Sequence, residues 1–270
     1  MKKTILLIIT LFYAWQLMAG WEITQRVSDP DGIINYDVIL IKDNIMKYNG
    51  SDAGFIIDVK KNELTFIMDQ SKTYWKGSPD DFREGLNSGM KKFMEQMLSQ
   101  IPEEQREMYS QMLDGMSDMY NTPSEQEIES INVEIVATGA SEKIAGYDAD
   151  EFTVSVDGKQ LETVWVSGEL TFGNEFDTKK AYQMMNKIVP NTDDVVMYEF
   201  TDTYLDLISK GYLMKSTEAE GETVEVIKVV ERNIEDEEMS LPEGYTQVSI
   251  DEMLQQQMMT GDDNQNEGGW

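Results

Sequence analysis

The sequence predicts an α+β fold: one curved antiparallel β-sheet, an incomplete barrel, with helices covering its concave face. Three observations carry this. Most of the chain alternates apolar and polar residues with the period of half-buried strands. Two stretches break that rhythm and repeat instead at three and four residues, as helices do. No linker divides the chain of 270 residues, and no solenoid-length repeat runs through it. The order is strands, helices, strands, helices, strands, and a one-faced antiparallel sheet needs a cover. Two small α+β domains are the alternative partition.

In chain order, residues 1–20 read as an export signal. Lys2 and Lys3 precede an apolar run from Ile5 to Trp15, and Leu17-Met18-Ala19-Gly20 supplies small residues for cleavage. The run is short for a membrane span. Residues 21–258 then form the domain. Trp21 to Ser28 is a first strand, Asp29-Pro30-Asp31-Gly32 a turn, and Ile34, Tyr36, Val38 and Leu40 one face of a second strand. Asn44 to Tyr48, Gly54 to Val59, Glu63 to Asp69 and Thr73 to Lys76 continue the meander, with a turn about Lys60-Lys61-Asn62.

The Met-rich insert at 78–120 interrupts it. Phe82, Leu86, Met90, Phe93, Met94, Met97, Leu98 and Ile101 fall on one helical face. Ser78-Pro79-Asp80-Asp81 is a start signal: a capping hydroxyl, a proline at the first helical position, and acids at the positive end of the dipole. Pro102 separates a second apolar stripe of Met108, Met112, Leu113, Met116 and Met119. Such a stripe usually packs a core. Methionine, of which the chain has 19, also suits adaptable binding surfaces. The insert is therefore read as a lid.

Strands resume at Ile131, Val133 and Ile135. Phe152, Val154 and Val156 alternate up to an Asp157-Gly158 hairpin turn, and Gln160 to Ser167 returns with Trp165. Helices are expected from Asp177 to Ile188 and from Glu199 to Lys210, the second stopped by Gly211. Tyr212 to Glu218 and Thr223 to Arg232 form a last hairpin, and Ser249-Ile250-Asp251-Glu252 is a capping box. Residues 259–270 read as a disordered acidic tail.

Composition narrows the chemistry. Histidine and cysteine are both absent, which removes imidazole acid–base catalysis, thiol nucleophiles, the usual zinc sets, disulfides and a lipidated cysteine. No phosphate-loop, dinucleotide or nucleophile-elbow motif is present. A carboxylate-pair hydrolase stays open among so many acids, but no pair stands out. Neither Asp29-Pro30-Asp31-Gly32 nor Asp262-Asp263-Asn264 matches a calcium loop. The formal net charge of −29 opposes nucleic acid and anionic lipid, and admits a basic partner. No catalytic residue, metal or cofactor is expected.

Lys143-Ile144-Ala145-Gly146-Tyr147 with the strand to Val156, and Glu162-Thr163-Val164-Trp165-Val166, together resemble the domain-of-unknown-function family 4412. Ile57-Asp58, Lys72-Thr73-Tyr74 and Ile101-Pro102-Glu103-Glu104-Gln105-Arg106 fit upstream, and Lys210-Gly211-Tyr212 and Leu241-Pro242-Glu243-Gly244-Tyr245 downstream. The resemblance runs from about Trp21 to Val248. It implies a fold similar to the LolA-like periplasmic lipoprotein carriers, half-barrels whose apolar cavity receives acyl chains. The chain departs in having Ala149 where the family often carries cysteine, and in its long Met-rich insert.

The function expected is a soluble periplasmic, non-catalytic carrier of a lipid, acyl chain or other apolar small molecule, with no membrane span. Phe82, Met90, Phe93, Met94, Met97, Met112 and Trp165 are its candidate ligand-binding residues. The alternative is an interaction protein of the cell envelope, with a filled core and an acidic surface for a basic partner.

Overall fold

The computed structural model describes residues 19–51, 53–100, 102, 131–172, 175–188 and 197–253. Within its first helix, the side chains of 93–97, 99 and 100 are outside that description. Residues 1–18 of the expected export signal at 1–20, the second Met-rich stripe and the tail at 259–270 all lie outside the described residues.

Among the described residues, twelve strands form one open sheet in the order β12-β6-β5-β4-β3-β2-β1-β11-β10-β9-β8-β7. They are β1 (Ala19–Ser28), β2 (Ile34–Lys42), β3 (Ile45–Asn49), β4 (Ala53–Asp58), β5 (Glu63–Met68), β6 (Thr73–Gly77), β7 (Val133–Ile144), β8 (Tyr147–Val156), β9 (Lys159–Ser167), β10 (Tyr212–Glu218), β11 (Thr223–Asn233) and β12 (Thr246–Gln247). Pairing is antiparallel except between β12 and β6. Thus β1 sits at the centre, joining the N-terminal meander on one side to β11 on the other. The hairpin turns use left-handed residues where the strand twist demands them: Ala145-Gly146 at φ 49° and 95°, Asp157-Gly158 at 51° and 80°.

Register assigns the two faces. Trp21 faces Ile41, Ile23 faces Ile39, Met46 faces Ile57, and Phe55 faces Phe66. These side chains share the inner face, and Val164, Val166 and Val226 lie on its continuation. Three helical blocks pack there. Helix α1 (Pro79–Gln100) begins as expected: Ser78 Oγ accepts from the Asp81 N–H at 3.1 Å, and Asp81 Oδ2 accepts from the Ser78 N–H at 2.9 Å. Helix α2 (Thr178–Asn186) is capped by Asp177, which accepts from the Lys180 N–H at 3.0 Å. The third block is a 3-10 turn (Met197–Phe200) followed by α3 (Asp202–Ile208).

This third block corrects one expectation. A single helix from Glu199 to Lys210 does not form. Thr201 is extended at φ −70°, ψ 149°, and its hydroxyl restarts the chain as a new cap. Gly211 is not a left-handed stop either, since α3 ends in the right-handed region at Ser209. Gly211 is needed because a Cβ there would lie 2.0 Å from the Ser167 carbonyl oxygen. That close approach brings the start of β10 against the end of β9.

The outer face is covered locally by α4 (Asp236–Met239), over Leu40 and Ile234. Lys47, buried on β3, donates to the Glu238 and Ser240 carbonyls at 3.0 and 2.7 Å and so satisfies the end of that helix. Among the described residues, no helix is long and apolar enough to cross a membrane.

Candidate ligand cavity

The inner face is not covered uniformly. Between α2, the 3-10 turn, α3 and strands β1–β4 lies a cavity of about 900 Å³. This is at the upper end of the range for small-molecule sites. Its floor is Ile39, Ile41, Met46, Phe55 and Ile57; Tyr182 and Met185 of α2 roof it, and Ile208 and Leu213 close one side. Phe172 also lines it. Its ring meets Trp21 edge-on at 5.8 Å and Tyr212 at 5.0 Å.

Local chemistry places the roof. The loop before α2 is stapled to the β2–β3 turn by one residue, Asn44. Its N–H donates to the Glu175 carbonyl at 2.6 Å, and its Oδ1 accepts from the Asp177 N–H at 2.9 Å. Asn44 takes φ 64°, a conformation asparagine tolerates better than most residues. The staple orients α2 so that Ala181 and Met184 are buried on the core.

The cavity has one strongly perturbed acid in its wall, Glu199. Burial, then the nearby Glu162 and Glu218 carboxyls, push its pKa up to about 7. Glu162 itself is 3% exposed and also shifted upward by burial. The hydroxyls of Tyr198, Tyr204 and Ser216 approach its carboxyl and oppose part of that shift. Glu162 Oε1 nevertheless has no hydrogen-bond partner among the described residues. Tyr182, Tyr198 and Tyr204 are all raised, chiefly by burial. Asp37 provides a contrast. It is equally buried on the inner face, yet it accepts from the Tyr48 hydroxyl at 2.5 Å. Among the described residues, no cluster of acids has the arrangement of a metal site.

Of the residues singled out from sequence, Phe82, Met90 and Trp165 have described side chains, and these lie elsewhere. Phe82 packs between Phe66 and Trp75, each ring 5.1 Å away, and Met90 is buried further along α1. Neither lines this cavity. Trp165 is half-buried and packs against the core cluster that holds Ile39, Ile41 and Ala181, but it does not line the cavity. The Lys215 ammonium sits 4.4 Å from its ring centroid. The Phe93, Met94 and Met97 side chains, and Met112 altogether, lie outside the described residues.

Sequence reasoning passed over Glu199 and Glu162. The signal for Glu162 was available: it occupies the inward phase of a strand whose next two inward residues are Val164 and Val166. Glu199 stands between Tyr198 and Phe200, and only the 3-10 geometry turns it to the cavity.

A family model for a domain of unknown function (DUF4412) matches residues 61–245. No curated protein matches the chain. Among solved structures, PNGF-II overlaps at a TM-score of 0.39 with 13% identity, over 86% of this chain and 31% of that one, so this chain spans about a third of its length. The Pseudomonas aeruginosa MucA/MucB complex structure overlaps at 0.36 with 8% identity, over 84% of this chain and 56% of the other. A Vibrio parahaemolyticus domain named for outer membrane lipoprotein sorting overlaps at 0.27 with 8% identity, over 82% and 89%.

Proposed function

This chain belongs to the DUF4412 family, and we propose that it is a non-catalytic periplasmic binding protein that holds an apolar ligand between the inner face of its sheet and α2 and α3. The supporting observation is the cavity of about 900 Å³ with an isoleucine, methionine and phenylalanine floor. Apolar surface left uncovered inside a fold is a standing driving force for an apolar guest. The export-signal reading of residues 1–20 supports the location. In this account the start of α1, through Phe82 and Leu86, seals the β5–β6 end of the sheet, beside the ligand.

The test is native mass spectrometry of the full chain purified from a periplasm, followed by titration with dodecanol. Met185→Trp, which places an indole in the cavity, serves as the blocked variant. Uptake by the parent and loss of uptake by a folded Met185→Trp are the expected results. A parent protein that arrives bare and takes up no dodecanol contradicts the reading.

A further inference from the structure

The cavity is mainly apolar, with Gln25, Asn44, Thr171, Thr178 and Ser209 among its polar lining residues. Glu199 is its half-buried charged group. Around Glu199 stand Glu162 from β9, Glu218 from β10, Tyr182 from α2, and Tyr198 and Tyr204 from the 3-10 turn and α3. Among the described residues, the charged groups that shift Glu199 are Glu162 and Glu218, both acids. The exposed Lys179 and Asp177 also line the cavity, one of each sign. Glu162 Oε1 is buried without a partner. Glu162 does not itself line the cavity, whereas Glu199 does, and no described cation pairs with Glu199, so a guest that carries its own cationic donor would complement this carboxyl.

We propose that the cavity selects amphiphiles with an ammonium headgroup, which pairs with Glu199 while the alkyl chain lies on Ile39, Ile41 and Ile57. This rests on the cavity being the ligand site. A carboxylate headgroup placed at Glu199 would lie beside an acid, and the cation that lines the cavity, Lys179, is exposed to solvent. A hydroxyl headgroup falls between, since it can donate one hydrogen bond. The ammonium could belong to a single-chain amine or to an amine-bearing phospholipid, whose phosphate would also have to be accommodated.

The experiment compares dodecylamine, dodecanol, dodecanoate and lysophosphatidylethanolamine by calorimetric titration of the full chain at about pH 8, above the Glu199 value of about 7. A hydrogen bond to a charged partner is worth roughly tenfold or more in affinity, so dodecylamine should bind at least about tenfold more tightly than dodecanoate. Glu199→Gln should remove about that factor for dodecylamine and leave dodecanol unchanged. Retained dodecanol binding also shows that the variant is folded. The effect should persist at high salt, which screens the general attraction of an acidic protein for cations but not a buried pair. Amine affinity should fall as the pH drops through about 7, as Glu199 takes up a proton. Lysophosphatidylethanolamine matching dodecylamine would assign the ammonium to a phospholipid; weaker binding would assign it to a single-chain amine. Equal affinity for amine and carboxylate, or an amine affinity untouched by Glu199→Gln, overturns the inference and leaves the cavity reading standing. Failure of all four probes overturns both.

Discussion

The same inner sheet face is covered in two different ways. At the β5–β6 end, α1 presses aromatic rings into the strands: Phe82 meets Phe66 and Trp75, and Leu86 is buried behind them. The helical residues 250–253 wedge against this helix at Gly85, where a Cβ would lie 2.7 Å from Ile250 Cδ1, and Lys92 pairs with Asp251. In the middle of the sheet, α2 and α3 stand over Ile41 and Ile57 without filling the space below, and an acid looks into the gap. Both regions are helix on sheet. The first is a plug made of interlocking side chains. The second is a roof, held at its rim by the Asn44 staple. Among the described residues, what separates them is the presence of polar residues at inward positions.

The comparison can be broken most forcefully at the plug. Phe82→Ala should lower stability by about 3 kcal/mol or more, as truncating a packed aromatic does, with dodecanol affinity little changed in the fraction that remains folded. Denaturant unfolding and titration measure the two quantities, and a loss of affinity larger than the loss of folded protein would merge the regions.

The next effect is electrostatic. The folded-state pKa of Glu199, about 7, lies above its ordinary value near 4.5, so between these the folded state binds more protons than the unfolded one. Stability contributed by the neutral acid is complete below about 4.5 and falls as the pH rises through about 7. The unliganded protein should lose on the order of 2–3 kcal/mol across that window from this group, and Glu199→Gln should flatten the profile. Thermal unfolding at a series of pH values checks it; an unchanged slope in the variant would remove Glu199 from the buried wall.

Smaller still is truncation in the roof. Met185→Ala enlarges a space that already exists, so it should cost about 1 kcal/mol or less while altering dodecanol affinity, the inverse of Phe82→Ala. Trp165→Leu belongs at the bottom of the scale. It keeps an apolar side chain against the core but loses the Lys215 contact, worth about 0.5–1 kcal/mol, and should leave uptake untouched because Trp165 does not line the cavity.

Much of the architecture was legible in the sequence because strand alternation and helix caps are local signals. The capping residues Ser78 and Ser249 and the Asp157-Gly158 turn all act as the sequence implies. Gly211 was recognised as special for the wrong reason, since its close approach to Ser167 is a tertiary fact. The cavity was not legible. Sequence shows that Ile41, Ile57 and Met185 face inward, not whether they touch one another. Trp165 illustrates the limit from the other side. Its size suggested a ligand surface, and it does pack against the core cluster of Ile41 and Ala181, yet it does not line the cavity.

The most direct test of a roofed cavity beside a plugged one is amide hydrogen exchange of the full chain with and without dodecanol. The account predicts slower exchange on binding in residues 178–186 and 202–213, and no change in residues 79–92, whose side chains pack the plug. Protection that rises at 79–92, or a bound protein with no change at 178–186, would contradict it.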